Sequence, residues 1–300
     1  QTLLRQDDLH FFRIVHEAVG LRDSVCGFQA DQFLFEFGDD APLLIGIDDN
    51  PQVRAVLSTG YAPINNTDFL ETASRALDQL EAQKGFPLDN ARVSRPYLTA
   101  DEMSLNLTLV NVDSGDHSSD YGLGVQLGNN EVGNGALYVR PYIKRTSCDN
   151  SISVDTAAAY RAFHLGYRGI HQDRIAEAIA HGLKLSGIYL KRFLEFREVE
   201  IPMFSVVAEE LGFKILGKSR GEDANRERTE LMHRIIEGSE GEQNLYGLIN
   251  GVTNAAQYYE AAHPDRMREI ENLAGTIIDD PAQFFGKKYE WAKELAPVQA

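Results

Sequence analysis

The sequence predicts an α+β fold: an N-terminal mixed, mainly antiparallel sheet with helices, followed by a C-terminal helical region. Three observations carry this expectation. Up to about Asp155 the apolar residues come in short runs broken by Asn, Asp, Gly and Pro. Beyond it they recur at three- and four-residue spacing over long stretches. Between two strand-like runs lies Gly128-Asn-Asn-Glu-Val-Gly-Asn-Gly135, whose Asn and Gly residues tolerate the positive φ of a tight turn.

In chain order, Leu9 to Val19 has helical spacing, and Val25 to Phe37 is aromatic-rich with alternation at Phe33, Phe35 and Phe37. Pro42 to Ile47 reads as a strand ended by Asp48-Asp-Asn-Pro51, and Val53 to Leu57 as a short apolar segment. Asn66 or Thr67 can cap a helix running to about Lys84, with Phe69, Leu70, Ala73, Leu77 and Leu80 on one face. Val93 to Leu98 and Met103 to Val112 read as strands, the second alternating Leu105, Leu107 and Leu109 against Asn106, Thr108 and Val110. Leu123 to Leu127 and Ala136 to Ile143 are expected to pair across the Asn/Gly turn. Helices are expected over about 172–198, 203–211, 224–237, 245–262 and 265–278, with Pro202 and Pro264 near starts, where Pro is tolerated. The change of character near 155–160 suggests two domains, 1–155 and 156–300.

The 300 residues suffice for a substantial core. No apolar run reaches the roughly 18 residues of a membrane span, and no signal peptide is visible. Cys26 and Cys148 fit no metal or redox spacing. These features predict a cytoplasmic protein with neither metal nor cofactor. The formal net charge of −16 argues against a generic polyanion binder. The charge is uneven, with 8 Lys/Arg against 20 Asp/Glu over 1–120, but 10 against 7 over 140–200. Chance clustering of solvated charges and a functional anion-facing surface explain this equally well.

Arg140, Lys144 and Arg145 sit beside Tyr138 and Tyr142 on the expected strand, a pattern that can line a groove for a nucleic-acid strand. Cys148 follows these cations, which lower a thiol's pKa, but a buried structural Cys is the favoured reading. Glu131 in the Asn/Gly turn suits a general base or, in preference, a partner for backbone N–H groups. Asp116, His117 and Asp120 form a polar loop, and His164, His171 and His181 match no metal spacing. Asn250 and Thr253 share one helix face among apolar neighbours, which points to a hydrogen-bonded link between helices.

Three segments together resemble a family of phage- and plasmid-associated proteins. They are Arg54-Ala-Val-Leu-Ser58-Thr-Gly-Tyr61; Glu131-Val-Gly133 with the later Arg145 and Cys148-x-Asn150; and Tyr246-Gly-Leu248-Ile-Asn250-Gly-Val252-Thr253 with the later Arg266, Glu271 and Gly275. Asn130 stands where the family has Ser, and Ser151 where it has Gly after Cys-x-Asn. A Gly at positive φ there would leave Ser151 strained. The resemblance implies a mobile-element origin and no particular reaction. The leading expectation is therefore a homo-oligomeric protein that handles nucleic acid, single-stranded DNA foremost, away from membranes. A self-assembling scaffold with no small substrate ranks second, and an enzyme using Cys148 or Glu131 third.

Overall fold

The structure is a computed structural model. It describes the strands 33–37, 41–46 and 52–56 of the first sixty residues, then 61–62, 64–84, 91–99, 101–112, 121–146, 150–155, 160–163, 172–216, 221–259, 263–295 and 297. The fold is α+β, with the strands in the N-terminal half and the helices mainly in the C-terminal half. The helix expected over Leu9 to Val19 lies outside the described residues.

Strands β1 (Phe33–Phe37), β2 (Ala41–Gly46) and β3 (Gln52–Val56) form an antiparallel three-stranded sheet. Its register pairs Phe35 with Leu43 and Leu44 with Ala55, and shifts between Leu44 and Ile45. A second sheet runs in the order β4 (Arg92–Leu98), β5 (Glu102–Val112), β6 (Tyr121–Asn130), β7 (Leu137–Arg145), β8 (Ser151–Ser153), with β9 (Tyr160–Ala162) also on β7. From β4 to β8 consecutive strands are neighbours, as the Asn/Gly turn predicts for β6 and β7.

Two prolines sit where the ladders can spare a donor. Pro96 falls between Ser94 and Tyr97, where the β4–β5 register shifts. Pro141 falls between the residues of β7 paired with β9 (137–139) and those paired with β8 (142–144). The short strands β8 and β9 are not legible as elements in the sequence, because three residues carry too little periodicity to recognise.

The chain divides into two compact units, each of three segments: 1–110, 124–140 and 158–183; and 111–123, 141–157 and 184–300. In the first unit, α1 (Asn66–Lys84) buries Phe69, Ala73, Ala76, Leu77 and Leu80. They join Leu105, Leu107 and Leu109 of β5, Val125 and Leu127 of β6, and Ile175 and Ile179 of α2 (Gln172–Glu195) in one core. The i, i+4, i+7, i+11 spacing of the α1 residues makes this face. Gln172 Nε2 donates to the Arg75 carbonyl at 3.1 Å, and Gln79 Nε2 to Asp173 at 3.0 Å.

The second unit holds the rest of α2, a 3-10 turn over Phe196–Glu198, and helices α3 (Phe204–Leu216), α4 (Glu222–Gly238), α5 (Leu245–Gln257), α6 (Pro264–Asp279) and α7 (Pro281–Phe285). Helix α5 is its centre, with Leu245 to Thr253 all buried. An apolar face on every side marks an interior helix. Asn244 caps it, accepting from the Gly247 N–H at 2.8 Å. Helix α4 comes so close that a Cβ on Gly251 would lie 2.0 Å from the Ile235 carbonyl oxygen. Phe193 stacks on Tyr246 at 4.6 Å and meets Tyr121 edge-on at 6.2 Å.

Candidate functional site

In the first unit, two of the three quoted segments meet at the start of α1. The carboxylate of Glu131 is buried and accepts from the Asn66 backbone N–H at 2.5 Å. A carboxylate at a helix N-terminus answers both an orphan donor and the positive end of the dipole. The Tyr61 hydroxyl donates to the Glu131 carbonyl at 2.8 Å, and the Glu131 N–H to the Asp101 carbonyl at 2.7 Å. Asn129 donates to the Ile64 carbonyl and to Asn66 Oδ1. The Asn130 side chain closes the turn by accepting from the Val132 and Asn134 N–H groups. Gly133 is exposed at φ 80°, a conformation that Gly adopts without strain. Glu131 is thus a cap supplied from some 65 residues away, which local cap rules at Asn66 or Thr67 cannot foresee.

Tyr138 and Arg140 also belong to the first unit. Arg140 is buried, donating from Nε to Gln126 at 2.5 Å, while Gln126 donates to Asn106 at 2.7 Å. Its guanidinium lies 4.2 Å from the centre of the Tyr138 ring. A Cβ on Gly128 would sit 2.1 Å from that ring, so Gly128 makes the room for Tyr138. The alternation of β5 therefore separates two interior faces, with Leu105, Leu107 and Leu109 on one and the buried Ser104, Asn106 and Thr108 on the other.

Tyr142, Lys144 and Arg145 belong to the second unit. Tyr142 is fully buried and Lys144 half-buried. Arg145 is buried and makes a fork-to-fork pair with Glu240, both N···O distances being 3.0 Å. The Arg145 N–H donates to the Asn150 carbonyl at 2.7 Å. The Asn150 side chain donates to the Asn250 carbonyl at 3.4 Å and accepts from Gln257 at 2.5 Å. This joins the Arg145/Asn150 segment to the Asn250/Thr253 helix. Thr253 itself bonds back to Ile249 and Asn250 within α5, where a link between helices was expected. Ser151 is not strained: among the described residues, the only ones other than Gly at positive φ are Met203 and Glu240. Its Oγ instead donates to the buried Glu271 at 2.5 Å.

Next to this link stands Tyr246. Arg197 donates to its oxygen at 3.2 Å and lies over its ring at 4.5 Å, and Tyr121 meets the same oxygen at 2.8 Å. Burial alone would push this phenol up. Hydrogen bonds from Tyr121, Asn250 and Arg197 and the charge of Arg145 outweigh it, leaving the Tyr246 pKa below its ordinary value. The second unit thus gathers two arginines, two tyrosines and one partly exposed carboxylate, Glu240.

Within β7 the sequence suggested a groove for a strand, but Arg140, Arg145 and Tyr142 lie inside the fold. Ser58 and Cys148 lie outside the described residues, as do Asp116, His117, Asp120, His164 and His171; of Arg54 only the backbone, in β3, is described. His181 is exposed on α2. Among the described residues, no three His, Cys, Asp or Glu are grouped to hold a metal, and no helix is long and apolar enough to cross a membrane. No protein-family model, curated protein or solved structure matches the chain. Sequence reasoning singles out neither Arg197 nor Glu240, whereas Tyr246 and Glu271 belong to the third quoted segment. One signal was present for Glu240: it precedes Gly241 just beyond a helix end, where Gly or Asn is the usual residue.

Proposed function

We propose that the protein is a self-assembling platform of mobile-element type. The observation that carries this reading is an exposed apolar stripe on and beside α3: Met203, Val206 and Phe213, with 66%, 41% and 47% of their surface open to solvent. A spacing of seven residues puts Val206 and Phe213 on one side of the helix, and Met203 stands just before its start. Large apolar groups in series at a surface are what a protein partner covers. Met203 is held at φ 58°, which costs free energy in any residue with a side chain. Static light scattering on the purified chain tests the reading. We expect an oligomer at micromolar concentration, and a monomer once Val206 and Phe213 are both replaced by Asp. A monomeric wild-type chain rejects it.

Handling of single-stranded nucleic acid is the second reading, supported by the half-buried Tyr138 and Lys144 on β7 and by the local excess of Lys/Arg over Asp/Glu between residues 140 and 200. Interior placement of Arg140 and Arg145, together with the charge of −16, ranks it below assembly. Its test is fluorescence anisotropy with a labelled oligothymidylate over a range of salt. Lys144→Ala would weaken binding and reduce the salt slope by about one. No binding at low salt discards this reading.

A further inference from the structure

We propose that Glu240 is an exchangeable counter-ion, closing a seat for a phosphate group whose fixed wall is Arg145. The inference is independent of the assembly reading, because it draws on no residue of the α3 stripe.

The first argument is the residue at this position. Helix α4 ends at Gly238, Ser239 follows in helical conformation, and Glu240 turns into the left-handed region at φ 56°. Its N–H returns to the Glu237 carbonyl at 3.1 Å, so the turn is an ordinary helix exit. Gly is the usual occupant of such a position because it has no Cβ to clash. Gly241, next in the chain, also has positive φ (85°). A Glu where the backbone favours Gly is a local conflict, and such conflicts concentrate where a side chain has work to do.

The second argument is the asymmetry of the pair. The Arg145 side chain is 7% exposed and that of Glu240 57%. Arg145 is anchored, since its strand pairs with β8 and its N–H is bonded to Asn150. Glu240 reaches in from solvent on a flexible side chain and can swing out without moving the backbone. The cation is therefore the fixed member and the anion the removable one.

The third argument is chemical fit. The guanidinium presents two parallel N–H groups, a fork that phosphate oxygens match as well as carboxylate oxygens do. A phosphate brings at least the charge that the carboxylate takes away. A second cation, Arg197, stands at the Tyr246 oxygen, which the charge of Arg145 also reaches. Either a free phosphate or a phosphodiester of a nucleic-acid strand carries this chemistry.

The experiment uses the full chain, with Glu240→Ala and Glu240→Gln beside wild type. Thermal unfolding is followed against inorganic phosphate, with chloride balancing the ionic strength. The Glu240→Ala variant lacks the competing carboxylate, and we expect its Tm to rise by about 4 degrees when phosphate reaches about a hundred times its dissociation constant. The wild-type rise should be much smaller, because its own carboxylate competes, and the Glu240→Gln variant should fall between. Arg145→Lys in the Glu240→Ala background keeps the charge but loses the fork, and should blunt the response. If Glu240→Ala does not fold in chloride, phosphate should restore it. A Glu240→Ala protein with the wild-type response to phosphate, or one that phosphate fails to restore, overturns the proposal. A labelled oligothymidylate then separates the sources. Binding gained by Glu240→Ala and displaced by phosphate assigns the seat to a phosphodiester; a phosphate response without it assigns the seat to a small anion.

Discussion

Replacing Glu131 separates its two roles at the start of α1. The carboxylate accepts from the Asn66 N–H at 2.5 Å in a buried setting. Glu131→Gln keeps an acceptor oxygen and loses the charge. The loss is then the dipole and charge-assisted part, about 1 kcal/mol. Glu131→Ala also removes the acceptor, leaving a buried N–H with nothing to bond. That adds about 1–3 kcal/mol, so the total is about 3 kcal/mol. Urea unfolding at neutral pH should show this order in the midpoints, with the slopes unchanged. Tyr61→Phe gives an internal control. Its hydroxyl bonds the Glu131 backbone carbonyl, so its cost, about 1 kcal/mol, should persist in the Glu131→Ala background. Equal midpoints for the Gln and Ala variants, or an Ala variant as stable as wild type, would refute the capping account.

Other consequences follow from the second unit. Ser151→Gly, which restores the residue usual in the resembled family, should cost about 2 kcal/mol by chemical denaturation, because buried Glu271 loses the hydroxyl that donates to it. Gly251→Ala should cost about 3 kcal/mol or prevent folding, since its Cβ would meet backbone rather than a yielding side chain; circular dichroism and the denaturation midpoint report it. Burial, then the charge and hydrogen bond of Glu227, push the Tyr259 phenol up to about 12 from an ordinary 10. A raised phenol favours the folded state while it is neutral, so this stability is intact below pH 10 and is lost as pH rises from 10 to about 12. Tm measured across that window should fall less steeply in Tyr259→Phe than in wild type.

Periodic elements were legible in the sequence because their signal is local. Helix α1 begins and ends where its apolar spacing and Asn-Asn-Thr start say it should. Helix α6 opens on Pro264 as Pro at a first turn predicts. Helix α5 is shorter than its pattern, ending at Gln257, because Tyr258 and Tyr259 continue the apolar spacing without continuing the helix. The candidate site was much less legible. Arg140 and Arg145 read as surface cations because charged residues usually are. What places them inside is Gln126, fourteen residues back, and Glu240, ninety-five residues on. Glu131 was legible as a turn residue that serves backbone N–H groups, but the donor is on a helix some 65 residues earlier. Pairings at such distances leave no periodic trace in a single sequence.

The alternation of the chain between its two units has a consequence for inheritance. Six segments alternate, so the boundary is crossed at five places between residues 110 and 184. A recombination event that joins the front of one such gene to the back of a diverged relative, anywhere in that interval, mixes the parents within both units at once. Neither compact body then keeps a matched set of core residues. Such chains should therefore be exchanged whole, with surviving crossovers concentrated towards the ends of the gene.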